Sequence, residues 1–288
     1  MKKPLIMTDS CCDLPISIVE EYDIPVILLN FNFKGESYED DFGQTIGYEL
    51  FYDEVRKGEM PTTSQINSYE FEKFFAPYLE KGEDVIYIAF SSALSGTCQS
   101  AMLAKESLSE KYPQGSLTVI DSKCASMGQG LLVYLAYKQM EQGKSKDEIV
   151  EWLESNKLKL NHWFTVSDLN HLKRGGRVSA ASATVGTLLN IKPILHVDDE
   201  GRLIPKSKVK GRKKSIKTLY QHLKDEISNE KQTVFISHGD CKEEAEKLAE
   251  LIKKDYNPEK IVINYIGPVI GSHSGPGTIA LFFMGEKR

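Results

Sequence analysis

A chain of 288 residues with 41% hydrophobic and 27% charged residues carries enough apolar surface for one large or two medium folded units. Its net charge of −5 argues against a general nucleic-acid binder, whose surface must neutralise phosphates. No apolar run reaches the ~18 residues that a membrane span needs, so no integral membrane segment is expected.

Lys2-Lys3 and the apolar residues after them look like the start of a secretory leader. Thr8-Asp9-Ser10 interrupts that stretch well short of a leader's apolar core. Cys11, Cys12, Cys98, Cys124 and Cys241 are odd in number and lack C-x-x-C spacing, so neither a disulfide framework nor a zinc site is expected. The expected location is the cytoplasm.

Residues 4–8 and 25–33, rich in Ile, Leu and Val, read as strands. Residues 46–58 have helical spacing and end at a glycine. Asn67-Ser68 caps a helix through Phe71, Phe74, Phe75 and Leu79. Residues 84–90 form a continuous apolar run suited to a buried parallel strand. A helix near 102–108, a strand at 117–120 and a helix at 130–140 continue the alternation, which predicts a mostly parallel sheet covered by helices. Ser145-Lys146-Asp147-Glu148 has capping-box spacing and opens a helix to about residue 158.

Beyond that point the rhythm changes. Residues 192–197 and 202–209 flank Asp198-Asp199-Glu200-Gly201, a hairpin with glycine at the turn. Strands at 233–237 and 261–266 flank an amphipathic helix at 243–254, and residues 277–284 read as a buried strand. The second half is therefore α+β, with a boundary near 145–162.

Hydroxyl-rich loops follow several strands: Thr8-Asp9-Ser10, Pro61-Thr62-Thr63-Ser64-Gln65, Ser91-Ser92-Ala93-Leu94-Ser95-Gly96-Thr97 and Asp121-Ser122. Singly, each reads as an N-cap or turn. Together they mark a ligand site at the carboxyl edge of an open sheet, able to hold a carboxylate or phosphate. Three catalytic signatures fail. Gly271-Ser272-His273-Ser274-Gly275 puts His where a nucleophile elbow needs Ser, and Gly128-Gln129-Gly130 lacks the third glycine of a dinucleotide fingerprint. No P-loop pattern occurs.

Two features stand out. Residues 267–277 concentrate glycine and proline around His273, which dictates a particular backbone path and allows close approach of another group. Residues 206–214 hold six cations, a strong local field that is either a solvated helix start or a docking surface for an acidic or phosphate-bearing partner.

In this order the segments resemble the DegV family of bacterial fatty-acid-binding proteins. The resemblance includes Asp168-Leu169 and Leu172 before Gly175-Gly176-Arg177-Val178-Ser179, then residues 188–195 (LLNIKPIL), and it spans essentially the whole chain. It implies a two-domain α/β protein, with an N-terminal parallel α/β domain at 1–158 and a C-terminal α+β lipid-binding domain at 159–288. It implies a non-catalytic carrier with no metal or cofactor, whose ligand is one long-chain fatty acid. Thr63, Ser95 and His273 are its expected carboxylate-binding residues, with Thr62, Ser64, Gly96 and Arg177 as accessory positions. Apolar residues of 185–195 and 279–283 are the candidate tunnel walls. The expected partner is a fatty acid kinase that makes an acyl phosphate, docked through Lys208, Lys210, Arg212, Lys213 and Lys214. An acyl phosphate-using acyltransferase of phospholipid synthesis follows. Lys210 stands where the family often has Arg, and Cys98 where an aromatic residue is common. The alternative from the residues alone is an acyl or phosphate ester hydrolase or transferase, with Ser95 as nucleophile, His273 as base and Asp9 or Asp121 as orienter. A lipid-responsive regulator with a protein partner is a third reading.

Overall fold

The structure, a computed structural model, describes residues 3–179 and 190–288. In the first half, β1 (Leu5–Asp9) leads through a short 3-10 turn to α1 (Ile16–Glu21) and β2 (Val26–Ile27). β3 (Asn30–Phe33), β4 (Glu36–Glu39), α2 (Tyr48–Arg56), β5 (Thr62–Ser64) and α3 (Ser68–Glu80) follow. Then come β6 (Asp84–Ala89), α4 (Thr97–Lys111), β7 (Ser116–Asp121), α5 (Met127–Glu141) and α6 (Lys146–Asn156). The second half holds β8 (Leu160–Thr165), α7 (Asn170–Arg174), β9 (Ile191–Val197), β10 (Leu203–Lys210) and α8 (Arg212–Glu226). It ends with β11 (Thr233–His238), α9 (Lys242–Asp255), β12 (Lys260–Tyr265), α10 (Pro268–Ser274) and β13 (Ile279–Met284).

Among the described residues three sheets form. The expected parallel sheet has the order β2-β1-β6-β7, and a mixed sheet has the order β10-β9-β8-β13-β11-β12. A small antiparallel sheet, β4-β3-β5, was not expected from the alternation. Helix α5 packs on β1 and β6 on one side and on β8, β11 and β13 on the other. Its residues from Met127 to Val133 are all buried, which explains why it shows no polar stripe. The capping boxes at Asn67 and Ser145 are present, as is the hairpin turn, where Gly201 has φ 83°.

Two expectations change. Residues 25–33 are not one strand: β2 pairs with β1, whereas β3 pairs with β4 and β5. The break is at Leu29, whose N–H donates to Ser10 Oγ at 3.0 Å and whose carbonyl accepts from Asp40 N at 2.8 Å, so side chain and loop replace ladder partners. The second change is at residues 267–277, which contain a helix. Gly267 is its extended N-cap, Pro268 occupies the first turn and Gly275 ends it at φ 75°. Glycine and proline here act as start and stop signals.

Two buried aspartic side chains hold the start of α10. Asp13 Oδ1 accepts from Gly267 N at 2.9 Å, and Asp40 Oδ2 accepts from Val269 N at 3.1 Å. Both donors belong to the group of N–H that a helix start leaves unpaired. Asp13 also accepts from Ser126 Oγ at 2.5 Å, and its carbonyl accepts from Asn264 Nδ2 at 2.9 Å. The αL conformation that Asp13 adopts, with φ 49°, is one that Asp tolerates. Burial pushes both carboxyls upward, Asp13 further through the charge of Asp40, and Asp40 reaches about 7.

A carboxyl raised from 3.8 to about 7 contributes stability below 3.8 that is lost as pH rises through 7. Asp40→Asn keeps an acceptor for Val269 and removes the charge. The difference in stability between wild type and this variant should therefore move in favour of the variant between pH 5 and pH 8, by at most about 3 kcal/mol. Thermal unfolding across that range measures it; parallel pH profiles for the two proteins would contradict the assignment.

Candidate functional site

A cavity of about 330 Å³ lies among the three sheets and α10, within the range of small-molecule sites, ~300–1,000 Å³. Phe90, Leu94, Phe164, Leu172, Val197, Leu203, Ala280 and Phe282 supply apolar wall. On β13 only Ala280 and Phe282 line it; Ile279, Leu281 and Phe283 pack on the opposite face with α8 and α9. This is strand alternation, which halves the expected wall at 279–283. In the other expected wall segment, residues 185–189 lie outside the described residues. The wall contribution of β9 is Val197 rather than residues 190–195.

One end of the cavity is polar. Thr63, in the middle of β5 and paired with Phe31, shares a hydrogen bond of 2.8 Å between its Oγ1 and His273 Nε2. His273 comes from the last turn of α10, so the anchored helix start places its ring. Ser95 lines the same cavity, its Oγ 2.9 Å from Thr97 Oγ1 and 3.3 Å from Thr97 N. Ser64, Gly96 and Arg177 also border the cavity, and Arg177 donates from Nε to Leu94 O and from NH1 to Gly175 O. Thr62 points elsewhere: it is exposed, and its Oγ1 accepts from Asn32 Nδ2. The segment 61–65, read as a loop, is thus mostly strand, and its alternation separates Thr62 from Thr63.

Close packing depends on two glycines. A Cβ on Gly175 would lie 2.2 Å from His273 Nδ1, and one on Gly96 would lie 2.2 Å from Gln65 Oε1. Gly175 has an ordinary φ of −70°, so its role is space rather than backbone freedom. Burial, aided by the positive charge of Arg177, pushes the imidazole of His273 down to about 4. At neutral pH the ring is therefore uncharged, with one nitrogen donating and the other accepting. Neutral donors at the end of an apolar cavity, with a guanidinium nearby, suit an anionic head group on an apolar chain.

The catalytic alternative is not assembled. Ser95 bonds Thr97 and His273 bonds Thr63. Asp9 accepts from Cys11 N, Tyr87 Oη and Phe90 N, while Asp121 accepts from Ser92 and pairs with Lys123 at 2.8 Å. Neither carboxylate orients the imidazole. Among the described residues no group of three His, Cys, Asp or Glu can hold a metal ion, and no helix is long and apolar enough to cross a membrane.

The basic segment divides. Lys208 and Lys210 on β10 and Lys213 and Lys214 at the start of α8 are exposed. Arg212 turns inward, donating from Nε (3.0 Å) and NH2 (2.7 Å) to Glu244. Sequence reasoning missed the anchors Asp13 and Asp40 and the cavity residues Ser126 and His162, none of which carries a local motif.

A family model described as an uncharacterised protein of the DegV family matches residues 3–286. The chain belongs to the DegV family. A DegV domain-containing protein of Clostridium perfringens is 50% identical over 289 residues, covering 100% of this chain and 99% of its own. Among solved structures, a DegV from Bacillus subtilis, described as a fatty acid binding protein, has a TM-score of 0.84 at 33% identity, covering 99% of this chain and 100% of its own. A Thermus thermophilus DegV family protein, whose fatty acid binding is described, has a TM-score of 0.88 at 31% identity with the same coverage. The mixed second sheet and the first parallel sheet are thus the DegV architecture.

A depressed histidine contributes stability that is complete above its ordinary value of 6.5 and lost as pH falls through about 4. Gly175→Ala should push the ring of His273 out of its buried position and return its titration toward 6.5. An NMR titration of the histidine side chains reads this directly. An unmoved His273 titration in a folded Gly175→Ala variant would refute the packing argument.

Proposed function

We propose that the cavity holds one long-chain fatty acid, with its carboxylate at Thr63, Ser95 and His273, and that the protein offers this carboxylate to a separate fatty acid kinase. The observation that carries the reading is the asymmetry of the cavity: Thr63, Ser95, His273 and Arg177 gather at one end, and apolar side chains dominate the rest. Family members from Bacillus subtilis and Thermus thermophilus described as binding fatty acids support it.

Burial contributes about 0.8 kcal/mol per methylene, so the chain supplies most of the affinity. Hydrogen bonds to a charged group add about 1.5–3 kcal/mol each and fix which end faces the polar mouth. The carrier itself performs no chemistry. A kinase in the cytoplasm docks on the basic surface of Lys208, Lys210, Lys213 and Lys214, and the acyl phosphate it forms goes on to an acyltransferase of phospholipid synthesis. Arg212 has a different part, since its pairing with Glu244 ties α8 to α9.

Gently purified protein should release a fatty acid when denatured, detected by mass spectrometry. Empty protein that also refuses added fatty acids would sink the proposal. Thr63→Val, Ser95→Ala and His273→Ala should each weaken binding roughly ten- to hundredfold while the fold persists. Lys213→Glu with Lys214→Glu should leave fatty acid affinity unchanged and lower the rate of acyl phosphate formation with the kinase. An unaltered rate would remove the basic surface from the docking model.

A further inference from the structure

Beyond the polar end, Ala125, His162, Val197 and Leu203 line the cavity, drawn from the β7–α5 connection and from β8, β9 and β10. β8 places them far from the head-group residues: it runs from His162 at this end to Thr165, beyond which α7 packs against α10 and His273. Directly behind this wall sits Arg288. Its Nε donates to Leu160 O at 2.9 Å, and NH1 donates to Lys123 O at 2.9 Å and Asp198 O at 3.0 Å. NH2 donates to Lys157 O at 2.7 Å and contacts Cys124 Sγ at 3.4 Å. Five contacts match the five N–H groups of a guanidinium, so its planar fork is fully used. Four of the five acceptors stand close in the chain to a wall residue: Lys123 and Cys124 before Ala125, Leu160 before His162, and Asp198 after Val197.

A second cavity, of about 480 Å³, lies on the far side and is bordered by Arg288, Val197, His196 and Trp163. Val197 lines both cavities. The two spaces are thus separated by a partition whose backbone pieces are fastened by one side chain. We propose that Arg288, acting with Val197, is a chain-length determinant: it closes the distal end of the acyl cavity and sets the longest fatty acid that fits. Arg288 does this as a positioning residue, holding three wall segments together, while Val197 meets the methyl end of the ligand. The inference rests on the fatty-acid reading of the cavity.

The test is competition binding of saturated fatty acids of fourteen to twenty-two carbons to the full chain. Wild type should lose affinity sharply above a limiting length. Arg288→Ala should extend that limit by about two carbons or more, and each extra methylene that finds apolar burial is worth about fourfold in affinity. Val197→Phe should shorten the limit and Val197→Ala lengthen it, and these two variants decide the matter if Arg288→Ala does not fold. Arg288→Lys, which cannot satisfy five acceptors, should fall between wild type and Arg288→Ala. Length profiles identical to wild type in folded Arg288→Ala, or in both Val197 variants, would overturn the proposal. Failure of wild type to bind any of the acids would instead overturn the carrier reading itself.

Discussion

Two buried aspartic side chains at the start of α10 are the constraint on which the site depends. A seven-residue helix cannot stand alone in water, because few of its backbone groups are paired within it. Asp13 and Asp40 supply acceptors for its first N–H groups, and Tyr52 Oη donates to Ile266 O at 2.8 Å just before it. Asp13 lies beyond β1, Asp40 beyond β4 and Tyr52 in α2, so the helix of one half is held by residues of the other. Its far end then delivers His273 to Thr63. The cost is two desolvated carboxyls, which the structure tolerates by supplying hydrogen bonds from Ser126, Gly267 and Val269.

The cavity follows from how the sheets meet. Helix α5 fills the space between the parallel and mixed sheets along most of its length, and where it begins, near Ala125 and Ser126, the filling stops. Small residues bring the remaining elements close: Gly128 leaves room for the ring of His162, as Gly175 does for His273. The resulting space is apolar over most of its wall and polar at one mouth. The imidazole at that mouth is kept neutral by burial and by the charge of Arg177, whose guanidinium is held in place by the carbonyls of Leu94 and Gly175.

Much of the fold was legible in the chain. The apolar runs of β1, β6 and β13, the capping boxes of α3 and α6, and the glycine turn between β9 and β10 are local signals, each arising within a few residues. The motif series from Thr8 to Gly277 was enough to indicate the DegV family before any geometry was known. Thr63, Ser95 and His273 could be nominated from those motifs, and the structure brings all three to one cavity. Arg212, counted with the exposed cations by its place in the run, turns inward because Glu244 lies next to it in space.

Taken alone, the chain determined which segments are strands or helices wherever periodicity and caps agree, and which residue types cluster near strand ends. Tertiary structure decided the rest. It split residues 25–33 between two sheets, since Leu29 finds its partners in Ser10 and Asp40. It turned the glycine- and proline-rich segment into a helix, since Asp13 and Asp40 accept its free N–H groups. It joined Thr63 to His273 across 210 residues of sequence and gathered five acceptors around Arg288. A hydrogen-bond donor does not carry the address of its acceptor, and only folding brings the two within reach.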